Sequence, residues 1–73
     1  MNEPIKLLDV VALVVDLPDQ SLVRGQVGTV VEELAPGVYE VEFSDSQSGR
    51  DYAMAALRED QLLPLRYAPA AAG

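Results

Sequence analysis

Apolar residues along this chain fall into short Val-rich runs separated by turn formers. No stretch of ten or more residues carries the stripe of an amphipathic helix. The pattern predicts an all-β fold. Residues 9–15 are β-branched and apolar on both faces, as in a strand covered on both sides. Residues 16–26 include Pro18, Gly25 and several other turn formers, and form one long first loop. A second strand is expected over 27–34, and Ala35-Pro36-Gly37 is a tight turn. Residues 38–43 alternate most cleanly, with Tyr39, Val41 and Phe43 on one face and Glu40 and Glu42 on the other. After a polar loop over 44–49, a fourth strand is expected at 50–54. Residues 55–61 then continue it and make one helical turn near Glu59 and Asp60. A short last strand over 62–65 is confined to an edge by Pro64.

Five short strands, a long first loop and a single helical turn before the last strand fit a small, partly open β-barrel. Its expected core is Val11, Leu13, Val15, Val30, Tyr39, Val41, Phe43, Met54, Leu57, Leu62 and Leu65. Val31 is an alternative to Val30, because a one-residue slip exchanges the faces of the second strand. The barrel is assigned to residues 5–65, between a disordered or extended N-terminus (1–4) and a flexible C-terminal tail (66–73).

A chain of 73 residues has room for one domain, and with no Cys it has neither disulfide nor thiolate metal centre to supplement its core. Twelve acidic residues face five basic ones, a net charge of −7, which repels phosphate backbones and anionic lipid heads. Neither nucleic acid nor membrane is therefore an expected partner. The absence of His removes the commonest proton shuttle and metal ligand. No enzyme activity, cofactor or metal is expected. The longest apolar stretch, residues 10–15, is too short to cross a bilayer and no cationic leader precedes it, so a cytoplasmic protein is expected.

Residues 8–13, the Arg24-Gly25-Gln26-Val27-Gly28-Thr29-Val30-Val31-Glu32 segment, residues 39–43 and the closing residues 60–65 together resemble a small uncharacterised bacterial family with an SH3-like barrel. More distantly, Gly25-x-x-Gly28-x-Val30 followed by Tyr39-x-Val41-x-Phe43 is similar to KOW-type barrels and to the barrel of the nitrile hydratase β subunit. The KOW likeness would imply RNA binding through basic residues, but acids occupy the matching hairpin here. The nitrile hydratase likeness implies a barrel that packs against another protein, without the metal chemistry, which resides in the other subunit.

Gly25 and Gly28 lack the third Gly, the following helix and the Lys-Ser/Thr pair of a phosphate loop. With Pro36 and Gly37 they are read as structural turns. Arg24 is placed to donate to Asp16 or Asp19 across the long loop, or to present its fork to a partner. Glu32, Glu33, Glu40 and Glu42 gather on the predicted hairpin. A glycosidase pair would need a deeper cleft than so small a barrel encloses, and a calcium loop needs closely alternating acids around a central Gly, whereas residues 45–51 offer scattered oxygens and Arg50. The long loop has no aromatic residue to line a Pro-rich-peptide groove.

The expected function is a non-enzymatic protein-interaction module whose acidic face, with Arg24, binds a basic protein partner. An antitoxin or immunity protein facing the cationic groove of a nuclease toxin is one form of it. The alternative is a structural or accessory barrel subunit that assembles with an enzyme, or with copies of itself as a homo-oligomer, through the apolar first strand.

Overall fold

The computed structural model describes residues 4–44 and 52–66. It contains strands β1 (Val10–Leu13), β2 (Val27–Ala35), β3 (Val38–Ser44), β4 (Tyr52–Arg58) and β5 (Leu62–Pro64). All pairings are antiparallel, in one sheet of order β4-β3-β2-β1-β5. Among the described residues β4 and β5 do not pair with each other, so the sheet is open there. The helical content of the described residues is two 3₁₀ turns, Pro18–Gln20 and Glu59–Gln61, the second directly before β5. The all-β reading with one turn before the last strand holds. Of the expected polar loop over 44–49, Ser44 instead ends β3. The remaining loop positions 45–49, the first positions of the expected fourth strand (Arg50 and Asp51), residues 1–3 of the expected N-terminal segment 1–4 and residues 67–73 of the expected tail 66–73 lie outside the described residues.

β1 is the inner strand expected from its two-faced apolar run, flanked by β2 and β5, with Val11, Ala12 and Leu13 all buried. It is shorter than residues 9–15. The backbone bends after Leu13, where the Val14 N–H donates to the Gln61 carbonyl at 3.0 Å, and Val15 leaves the core to become exposed.

One cluster forms the core, and Val11, Leu13, Val30, Tyr39, Val41, Phe43, Leu57 and Leu62 are in it as expected. Val30, fully buried opposite Val41, settles the register of β2 against the alternative Val31. Met54 does not belong to the core: it is 49% exposed. Side chains alternate along a strand, so Met54 and Leu57, three apart, cannot share a face once β4 runs unbroken to Arg58. Leu57 faces inward with Ala53 and Ala55, and Met54 faces outward. Leu65 is only half-buried for the same reason, being three positions from Leu62 and beyond the end of β5.

The core also takes in Ile5, Leu22 and Ala55, which were not expected there. Leu22 is carried in by order within the long loop: Leu17 and Leu22 exchange backbone hydrogen bonds of 2.8 and 3.1 Å around the first 3₁₀ turn. Pro36 and Gly37 connect β2 to β3 as the middle residues of a type II turn, where the third position requires the positive φ of Gly37 (77°). Gly25, with φ 91°, turns the chain into β2 and donates its N–H to the Leu13 carbonyl at 2.7 Å.

Candidate acidic interface on the β2–β3 hairpin

The register of β2 on β3 places the acids. Gly28, Thr29 and Val30 stand opposite Phe43, Glu42 and Val41, but the next pair is Glu32 with Glu40. Val31 is therefore an extra, bulged residue. Directly opposed residues of an antiparallel pair lie on the same side of the sheet. Glu32, Glu40 and Glu42 consequently share the outer face, away from Val41 and Phe43. Glu33 stands opposite the buried Tyr39 and belongs to the other face, so the expected cluster of four resolves into three plus one.

On the outer face Glu40 lies between Glu32 and Ala56, and Glu42 between Thr29 and Met54. Glu40 and Glu42 are half-buried and Glu32 is exposed. Like charges placed directly opposite, as Glu32 and Glu40 are, are destabilising. No cation offsets them among the described residues: Arg58 pairs instead with Asp60 at 3.1 Å, in an exposed ion pair worth at most about 1 kcal/mol.

Glu33 and Glu59 form a second, smaller acidic site at the rim of the core. Burial, together with the negative charge of Glu33 and then Glu59, holds the Tyr39 hydroxyl above its usual pKa of 10.0. The Glu59 backbone N–H donates to the Gly37 carbonyl at 2.9 Å, which ties the second 3₁₀ turn to the hairpin turn.

Arg24 is exposed in the loop before β2 and does not join either group. Asp16 does reach it, but through the backbone: the Arg24 N–H donates to Asp16 Oδ1 at 2.8 Å. Gly28 is a point of close approach rather than a turn. A Cβ there would lie 2.7 Å from the Glu42 carbonyl oxygen and 2.7 Å from the Phe43 ring.

Two features escaped the reading of the sequence. One is an open hollow of about 610 Å³ beside β5, lined by Pro4, Ile5, Val14 and Leu62–Pro64 together with Glu59 and Asp60. The other is a row of Val27, Ala12 and Leu63 across the outer face of β2, β1 and β5. Both bring together residues distant in sequence, and the only local signal is the apolar character of residues not needed by the core. Among the described residues, no three acids converge so as to hold a metal ion, and no helix is long and apolar enough to cross a membrane.

Compared with protein-family models, residues 7–64 match a domain of unknown function, DUF4926. No curated protein and no solved structure matches the chain.

Proposed function

The chain belongs to the DUF4926 family, whose function has to be argued from the surface of the fold, and we propose that it is a non-enzymatic interaction module that binds a basic protein partner through the outer face of the β2–β3 hairpin. The observation that carries this reading is the alignment of Glu32, Glu40 and Glu42 on one face, with no ion pair to any of them among the described residues. An arrangement that costs folding stability and raises the local negative potential suits long-range steering of a cationic surface. A nuclease toxin, cationic where it meets nucleic acid, is such a surface, so an antitoxin or immunity role in the cytoplasm is one form of the proposal.

The SH3-like identity of the barrel, and its kinship with KOW-type barrels and the nitrile hydratase β-subunit barrel, are part of the same reading. They are supported by β1 lying between β2 and β5, the long first loop and the 3₁₀ turn before the last strand. Barrels of that kind serve many functions, and the acidic hairpin is what directs this one towards protein rather than RNA.

Retention of proteins from the native host on the immobilised chain, followed across a salt series, tests the proposal. A basic protein should be held at moderate salt and released near 1 M, where the screening length falls to about 3 Å. Retention of nucleic acid or small metabolites alone, or of a protein indifferent to salt, would contradict it.

A further inference from the structure

The two edges of the sheet are protected very differently. β5 is three residues long and ends in Pro64, which has no N–H to offer. β4 is seven residues long, contains no Pro and no bulge, and pairs residue for residue with β3 from Val38↔Arg58 to Ser44↔Tyr52. Among the described residues β3 is its only neighbour in the sheet, and its single charge, Arg58, is at its end. Edges of soluble proteins are ordinarily blunted by shortness, Pro, bulges or charge, and a long regular edge without them is a template for another strand.

We propose that β4 pairs antiparallel with β4 of a second copy of this chain, across a two-fold axis at Ala55, so that two five-stranded sheets become one. Self-pairing in this register is complementary. Ala53 stands opposite Leu57, Met54 opposite Ala56 and Ala55 opposite its own copy, so each large residue meets a small one. Every such pair joins residues of the same face, which leaves Ala53, Ala55 and Leu57 inward and Met54 and Ala56 outward, as they are in the single chain. Arg58 stands opposite position 52, and no like charges are opposed. The β1 route to self-association is closed at its edges, because both already pair with β2 and β5.

The net charge of −7 does not forbid the pairing. Glu40 and Glu42 of the two copies lie on strands three spacings apart, about 14 Å. That exceeds the screening length of about 8 Å at physiological salt. Salt should therefore strengthen this dimer, the opposite of its effect on a basic partner held by the acidic face. The inference does not rest on that face, and the two fail by different measurements.

Sedimentation of the full chain from micromolar to millimolar concentration tests it, with Ala56→Lys and Leu63→Lys variants. Ala56→Lys puts an ammonium on the open edge but opposite Glu40 on β3, so the fold keeps its stability while the dimer loses its small-for-large contact. The wild type should move from 7.9 kDa towards twice that mass, more readily at higher salt. Ala56→Lys should stay monomeric and Leu63→Lys should behave as the wild type. On concentration, alternate β4 amides of the wild type should gain protection from hydrogen exchange. A wild type monomeric throughout, unprotected β4 amides, or a dimer that survives Ala56→Lys or is lost with Leu63→Lys would overturn the proposal.

Discussion

Gly28 sits where β2 presses most closely on β3, and a methyl group there would enter the space of the Glu42 carbonyl and the Phe43 ring. Gly28→Ala should cost about 1–3 kcal/mol in urea unfolding, the range for overpacking a closed site. Unchanged stability would mean that the inner side of the hairpin yields. Tyr39 offers a second residue-scale test. The folded chain holds the phenolic proton more tightly than the unfolded chain, so the stability linked to this group is complete below about pH 10 and is lost as pH rises through the raised folded value. A ring-resonance titration should place Tyr39 above the ordinary range, and Glu33→Gln should bring it down. A Tyr39 titration unmoved by Glu33→Gln would remove Glu33 from its surroundings.

Strands differ in how openly they declare their faces. β3 was legible because apolar and acidic positions alternate strictly over residues 39–43, and Tyr39, Val41 and Phe43 are buried as that alternation requires. β2 was not, because Val30-Val31 and Glu32-Glu33 each double a residue type, and only the pairing with β3 shows that the bulge at Val31 separates Glu32 from Glu33. β4 was misread by counting apolar residues without their parity, which put Met54 inside. Its true faces predict opposite outcomes for two substitutions. Leu57→Ala should cost about 2–5 kcal/mol. Met54→Lys, opposite Glu42 on the outer face, should leave thermal stability within about 0.5 kcal/mol of the parent. Equal losses from both would show that β4 is covered on its outer side.

At the scale of the whole molecule, composition revealed an acidic excess but not its distribution. Folding divides the acids into a stripe of Glu32, Glu40 and Glu42 with no ion pair among the described residues, a rim pair of Glu33 and Glu59, Asp60 paired with Arg58, and carboxylates such as Asp16 that serve the backbone. The proposal depends on that division rather than on net charge, and two triple variants that neutralise three acids each separate the two directly. Retention of the basic partner should be lost in Glu32→Gln/Glu40→Gln/Glu42→Gln, whose fold is if anything firmer for losing the Glu32–Glu40 repulsion, and kept in Glu33→Gln/Glu59→Gln/Asp60→Asn. Equal retention by both variants, or equal loss, would contradict the assignment of the outer hairpin face as the binding surface.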